Sequence, residues 1–193
     1  MNLKTLLFVV LAAAATAVRA QDVSESVILV AKPALRDPVF GSAVLVVAPI
    51  GEDQHAGFII NRPTDMRLGQ IFPDEVPSKK AADRLYFGGP FGAQVVFALV
   101  ERSASPGGTS FEVMTGLYAV IDAETVDRII GTESDRARFV QGLVVWQAGE
   151  LQAEIDRGLW YVLAPDAHLA LERPAQGLWE DLVRASVLRE DGI

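Results

Sequence analysis

The chain has 193 residues, no cysteine and two histidines, and its formal charge is −8. The lack of cysteine excludes thiol catalysis, disulfides and thiolate metal sites, and two histidines cannot form a histidine-rich zinc site. The chain is acidic, and acidic residues flank its adjacent basic pair, Lys79–Lys80. Such a chain repels the phosphates of nucleic acids, so we expect no nucleic acid partner.

Residues 1–20 have the pattern of a secretory signal peptide. Lys4 precedes an apolar run of 13 residues, 6–18, which is shorter than the roughly 20 residues that span a bilayer. The segment ends in Val18-Arg19-Ala20, with small residues at the two positions that a signal peptidase reads. We therefore predict export to the periplasm, no stable membrane span after cleavage, and a mature domain at residues 21–193. An uncleaved anchor and a cytoplasmic location are the alternatives.

Cleavage at this point makes the mature chain more acidic. It removes Lys4 and Arg19 and no acidic residue, which leaves 15 basic against 25 acidic side chains and a formal charge of −10. The same sign of charge disfavours binding to an anionic membrane surface.

Apolar runs separated by loops rich in proline and glycine predict the strands. The predicted strands are 27–31, 43–50, 56–61, 85–87, 94–101 and 110–121, with an interruption at Gly116. The second and third are joined by a short polar loop and are expected to form a hairpin. Residues 102–109, which contain Ser-Pro-Gly-Gly, are predicted to be a mobile loop.

Helices are predicted from capping residues and apolar spacing. Thr64-Asp65 is expected to begin one helix, with Leu68, Ile71 and Phe72 on its apolar side. The other predicted helices are one capped by Asp122 and ended by Gly131, short turns at 133–138 and 166–171, and a closing amphipathic helix at 177–188.

The most strongly patterned stretch runs from Phe139 to Pro165 and is predicted to be strand, turn, short helix and strand. Both apolar runs have the composition of strands buried on two faces, so both are expected to be central in the sheet. Gly158 occupies the position of a glycine that ends the helix between them.

These elements predict an α+β fold. The strands are too many and too unevenly interleaved with helices for a doubly wound sheet. We therefore expect a single domain with a mixed, mostly antiparallel sheet and several short helices packed on it.

Five motifs in order resemble those of the bacterial YqgE/AlgH family. They are residues 31–40 (AKPALRDPVF), 57–63 (GFIINRP), 88–90 (GGP), 142–155 (GLVVWQAGELQAEI), and Trp160 with Pro165. The resemblance covers residues 27–171 and implies a small α+β domain with a branched sheet and an unsettled activity.

This chain departs from the family pattern in two ways. Leu143 and Val145 replace the usual tyrosine and second glycine of the fourth motif. The family is usually cytoplasmic, whereas this chain has an export signal. Some members carry the label of transcriptional regulator, and we keep that role as an alternative function, although export would separate the protein from the chromosome.

The candidate ligand-binding residues lie at strand ends and are Asp37, Asn61, Arg62, Gly88 and Gly89. An arginine beside glycine backbone amides suits a carboxylate or phosphate group, so the predicted ligand is a small anion or a protein partner. The alternative is that these residues only form turns, with Arg62 paired to Asp37 or Asp65.

No catalytic residue, cofactor or metal is assigned, and we expect a protein that is not an enzyme. The alternative is a hydrolase that uses Asp37 or Glu150 as a base. Glu150 and Glu154 are expected to form a solvated helix face. His55, next to Asp53 in a polar loop, is expected to be exposed, because two ligands are too few for a closed metal site.

Overall fold

The structure, a computed structural model, describes residues 23–71, 84–171 and 174–192. The predicted signal peptide and Phe72 lie outside these ranges. Ten strands of the described chain form one curled sheet. They are β1 Val27–Ala31, β2 Val44–Gly51, β3 Gln54–Ile59, β4 Pro63–Arg67, β5 Arg84–Phe87, β6 Phe91–Glu101, β7 Ser110–Met114, β8 Leu117–Val120, β9 Ala137–Trp146 and β10 Trp160–Leu163.

Five short helices pack on this sheet. They are α1 Leu68–Ile71, α2 Ala123–Glu133, α3 Glu150–Asp156, α4 Ala167–Leu171 and α5 Leu178–Glu190, and a 3₁₀ turn at Ser134–Arg136 follows α2. No helix in the described ranges is both long enough and apolar enough to cross a membrane.

The sheet is mixed, mostly antiparallel and branched, which confirms the predicted fold class. Its main path is β10-β1-β2-β3-β9-β6-β8-β7, and β4 and β5 branch from it. Strand β5 runs parallel to β9, whereas β3 and β6 pair with β9 in the antiparallel sense. Strand β9 therefore joins three neighbours, and the prediction that it is central is confirmed.

The predicted hairpin is also confirmed, as β2 and β3. Along β2, Val44 and Val46 belong to one apolar cluster, and Leu45 and Val47 belong to a second cluster on the opposite face. All four side chains are fully buried. Burial on both faces explains why this strand is a continuous apolar run with no alternation of polar residues.

The prediction that the run 159–163 is central is wrong. Within the described ranges β10 pairs with β1 and stands at the end of the sheet path. Its apolar character comes from side-chain cover, because Lys32 lies 4.5 Å above the Tyr161 ring and the Trp160 ring contacts Phe40 edge-on.

Two local predictions also fail. Residues 63–67 form strand β4 instead of a helix start, because Thr64 donates its hydroxyl to the Leu85 carbonyl (2.9 Å) and β4 pairs with β5. Helix α2 continues past Gly131 to Glu133. Residues 102–109 form a loop, as predicted, and its mobility stays a prediction. The loop contacts α2 and its cap, since the Asp122 carboxylate accepts the Thr109 amide at 2.8 Å and Arg128 donates to the Pro106 carbonyl at 2.8 Å.

Helix α3 is held between β9 and β10 by one carboxylate. Oε2 of Glu154 accepts the indole N–H of Trp146 at 3.1 Å and that of Trp160 at 2.8 Å. The prediction that Glu154 belongs to a solvated face is therefore wrong. Gly158 follows the helix with φ +71°, which confirms it as the residue that ends α3.

Candidate functional site

The predicted site residues lie together where β3 ends and β5 turns into Gly88-Gly89 beside β9. We call this region the strand junction, formed by residues 37–42, 59–62, 87–91 and 140–143. Three backbone hydrogen bonds of 2.8 Å hold it together. They run from Ile59 N–H to Gly88 C=O, from Gly88 N–H to Gln141 C=O, and from Phe87 N–H to Arg62 C=O.

Glycine at three positions allows the backbones to approach this closely. A Cβ at Gly88 would overlap the Gly142 carbonyl oxygen, and a Cβ at Gly89 would overlap the Leu143 carbonyl. A Cβ at Gly142 would overlap the Gly89 carbonyl oxygen, and Gly142 also has φ +71°. The glycines of the third and fourth motifs therefore face one another across the junction.

Asp37 shapes the loop that covers the junction. Its Oδ1 accepts the backbone N–H groups of Val39 at 2.7 Å and Phe40 at 2.8 Å, as in an Asx turn. A further loop bond runs from Gly41 N–H to the Asp37 carbonyl at 2.9 Å. The carboxylate of Asp37 is thus engaged within its own loop.

Asn61 joins this loop to the end of β3. Its Oδ1 accepts the Val44 amide at 2.9 Å, and its Nδ2 donates to the Ser42 carbonyl at 2.8 Å. Ser42 has φ +62°, which non-glycine residues rarely adopt, so the Asn61 contact holds a strained turn in place. The side-chain amide of Asn61 therefore forms hydrogen bonds with the backbone at Ser42 and at Val44.

Arg62 extends along the same loop and is half-buried. Its Nη2 donates to the Gly41 carbonyl at 2.7 Å and its Nη1 to the Pro38 carbonyl at 3.3 Å. Among the described residues no carboxylate oxygen lies within salt-bridge distance of the guanidinium, so neither Asp37 nor Asp65 forms an ion pair with it. Burial lowers the pKa of Arg62, and the charge of Asp37 partly opposes that shift.

The structure therefore brings all five predicted residues into one region, and their role in binding a ligand stays a prediction. Sequence reasoning missed two residues of the same region, Gly142 and Phe91. Gly142 opens the fourth motif, but its close contact with the third motif depends on strand order. Phe91 follows Gly-Gly-Pro and is 65% exposed. Its sequence neighbours are apolar, and from them a buried side chain would be expected.

Two other candidates occupy different parts of the molecule. Glu150 is exposed and accepts the Gln147 amide at 2.8 Å at the start of α3. His55 is buried in β3 and bonds through Nε2 to the Val23 carbonyl at 2.8 Å, so the prediction that it is exposed is wrong. The described ranges contain no group of three or more side chains that could hold a metal ion.

Two open clefts lie at the far end of β6, away from the junction. Their volumes are about 260 and 380 Å³, and Glu101 and Arg136 line both. The smaller cleft contains the ion pair of Arg102 with Glu133, whose Nη2–Oε1 distance is 2.6 Å. Both clefts mix positive and negative side chains, so neither favours a ligand of one charge.

Comparison with known proteins supports the resemblance found in the motifs. A family model described as AlgH-like matches residues 28–188. A UPF0301 protein of Thermobifida fusca is 30% identical over 167 residues, covering 81% of this chain and 84% of the relative. A UPF0301 protein of Paraburkholderia phymatum is 28% identical over 158 residues, covering 79% of this chain and 82% of the relative.

Two solved structures share the fold. The solution structure of the AlgH protein from Pseudomonas aeruginosa has a TM-score of 0.64 and 24% identity, covering 87% of this chain and 88% of that one. The crystal structure of a Corynebacterium diphtheriae protein has a TM-score of 0.66 and 21% identity, covering 85% of this chain and 87% of that one. At these identities the likeness extends to the fold alone.

Proposed function

The chain belongs to the YqgE/AlgH family, and on that premise we propose that it is an exported, non-catalytic binding domain. The strand junction takes a carboxylate or phosphate group, carried by a small ligand or by a protein partner. Family membership supports the fold and assigns no activity, so the proposal depends on the residues of the junction themselves.

The observation that carries this proposal is the setting of Arg62. Its guanidinium is held by two backbone carbonyls and has no carboxylate partner in the described ranges. Arginine has five N–H donors, of which these bonds use two, so donors remain for a bidentate contact with an anion. Charge-assisted hydrogen bonds of this type are about twice as strong as neutral ones.

The two carboxylates that the hydrolase alternative would use as a base already accept hydrogen bonds from backbone amides. Asp37 accepts two amides of its own loop, and Glu150 accepts the Gln147 amide in the turn before α3. Each carboxylate shapes a backbone turn, which favours binding over hydrolysis as the function of this domain.

Anion binding at Arg62 is tested by NMR titration of the mature domain, residues 21–193, with inorganic phosphate and with acetate. We expect backbone amide shifts in residues 39–44, 61–62 and 87–89. The variant Arg62→Gln should lose them. The matched control is Arg128→Gln, since Arg128 also donates to a loop carbonyl, and it should keep them. Saturable shifts that persist in Arg62→Gln, or no shifts at all, would contradict the proposal.

Export is tested separately by N-terminal sequencing of the natural protein with its cell fraction recorded. The composition of residues 1–20 supports cleavage after Ala20, so Gln21 should be the first residue and the protein should be outside the cytoplasm. An intact Met1 in the cytoplasmic fraction would contradict export and leave the anion site untouched.

A further inference from the structure

Val23 is the first residue that the structure describes, and it is fixed to the sheet. Its side chain is 3% exposed, and its carbonyl accepts the Nε2–H of His55 in β3 at 2.8 Å. If cleavage follows Ala20, only Gln21 and Asp22 precede Val23, and two residues reach at most about 7 Å. The α-amino group of the mature chain is therefore confined to the surface around Val23.

Val23 and His55 line a cleft of about 210 Å³. The rest of its lining is Ser24, Pro49, Gly51 and Asp53. His55 is 3% exposed, and because Nε2 donates to Val23, Nδ1 of the neutral ring is a buried acceptor with no partner in the described ranges. The exposed Asp53 carboxylate also has no hydrogen bond or ion pair with a described residue. The cleft therefore presents acceptors that lack a donor.

The segments around this cleft are acidic. Residues 23–27, 49–55 and 146–150 meet at this end of the sheet, because His55 bonds to Val23 and pairs with Trp146 across β3 and β9. The three segments contain no lysine or arginine and four acids, Glu25, Glu52, Asp53 and Glu150. Acids that no basic side chain balances create a negative potential, so this end of the sheet attracts a cation.

We propose that the α-ammonium group freed at Gln21 by signal cleavage docks in this cleft and pairs with the Asp53 carboxylate. An ammonium group carries three N–H donors and a positive charge, which matches a cleft that offers acceptors and has no cation in its lining. In the uncleaved chain the same nitrogen is an uncharged amide with one N–H. Cleavage therefore adds a contact that the uncleaved chain cannot make.

The test compares the mature domain with a free and with an acetylated α-amino group, because acetylation removes the terminal charge. Backbone amides of residues 24–27 should exchange about two- to fivefold faster in the acetylated form, which is the range that an exposed ion pair contributes. The Asp53 amide signal should also shift between the two forms. Gln21→Ala keeps the α-amino group and prevents its cyclisation with the glutamine side chain, so it should give the same result.

Asp53→Asn removes the proposed partner of the ammonium group. Asparagine tolerates the left-handed backbone of this position, where φ is +58°, so the turn should keep its shape. In Asp53→Asn the free and acetylated forms should exchange at equal rates. The matched control is Glu52→Gln, at an exposed carboxylate of the same turn that does not line the cleft, and it should keep the difference. Equal rates in the unsubstituted domain, or a difference that survives Asp53→Asn, would overturn the inference.

This inference rests on the proposed export and is independent of the anion site at the strand junction. N-terminal sequencing of the natural protein separates its failure from that of export. If the natural chain begins at Gln21 but acetylation leaves exchange unchanged, export stands and the docking of the terminus is wrong. If the natural chain keeps Met1, no α-amino group forms at Gln21, and the inference fails together with export.

Discussion

Gly142→Ala should destabilise the domain far more than a glycine-to-alanine change in the same backbone conformation elsewhere. Gly142 and Gly158 both have φ +71°. A left-handed conformation costs an alanine roughly 1–2 kcal/mol, and this cost is common to both sites. The gain from a less flexible unfolded chain is also common to both and is about 0.4–1 kcal/mol.

The two sites differ in the space around them. A Cβ at Gly158 would meet no atom within 4 Å, whereas a Cβ at Gly142 would overlap the Gly89 carbonyl oxygen and lie 2.9 Å from that of Phe91. Relief of such overlap requires backbone shifts that typically cost about 1–3 kcal/mol. We therefore expect Gly142→Ala to lower the free energy of unfolding by about 1–3 kcal/mol more than Gly158→Ala.

Urea denaturation of the mature domain, followed by tryptophan fluorescence, measures this difference directly. Amide exchange should also show faster exchange at Gly88 and Phe87 in Gly142→Ala. Equal losses of stability in the two variants would refute the argument that glycine contacts define the strand junction.

Three further outcomes follow from single contacts. The Thr125 N–H, with a smaller contribution from Thr109, lowers the pKa of Asp122. The ionised Asp122 carboxylate therefore stabilises the fold at neutral pH, and this stabilisation is lost as pH falls through the lowered pKa. In urea titrations at several pH values, Asp122→Asn should lose less stability on acidification than the unmodified domain. Glu154→Gln should lower the free energy of unfolding by roughly 1–3 kcal/mol and shift the tryptophan emission, because both indole N–H groups lose a charged acceptor, whereas exposed Glu150→Gln should leave the emission unchanged. His55→Ala should speed amide exchange in residues 24–27 by releasing the Val23 carbonyl, and unchanged exchange there would show that this bond does not hold the segment.

The parts of the fold that sequence could predict are those decided by local patterns. The β2–β3 hairpin follows from two apolar runs joined by a short polar loop, and Gly158 ends α3 as its position predicted. The Asp122 cap is likewise a local signal, since its carboxylate accepts the Thr125 amide three residues on. Each of these features depends on residues within a few positions of one another.

Three of the failures depend on contacts between different elements of the fold. Thr64 is a good helix cap by type, but its hydroxyl bonds to the Leu85 carbonyl, 21 residues away. Glu154 has the spacing of a solvated helix face, but the structure brings two tryptophans to it from two strands. The run 159–163 resembles a central strand because Trp160 and Tyr161 are buried in apolar clusters on opposite faces, although β10 stands at the end of the sheet path.

Part of the candidate site could also be predicted from local motifs, and part depends on the path of the folded chain. The motifs predicted that Asn61, Arg62, Gly88 and Gly89 lie at strand ends, and β3, β5 and β9 bring those ends together. The carbonyl partners of Arg62 and the exposure of Phe91 could not be predicted, because they depend on the path of the loop 37–42 and on the register of β6 with β9.

The guanidinium of Arg62 itself gives the most direct test of the binding site. In the mature domain its side-chain Nε–H signal can be assigned by comparison with Arg62→Lys and followed during a titration with inorganic phosphate. A saturable shift of this signal, together with an unchanged signal from Arg128, is the result expected for an anion held at the strand junction. A signal from Arg62 that stays in place while phosphate shifts other arginines would show that the guanidinium only supports the loop.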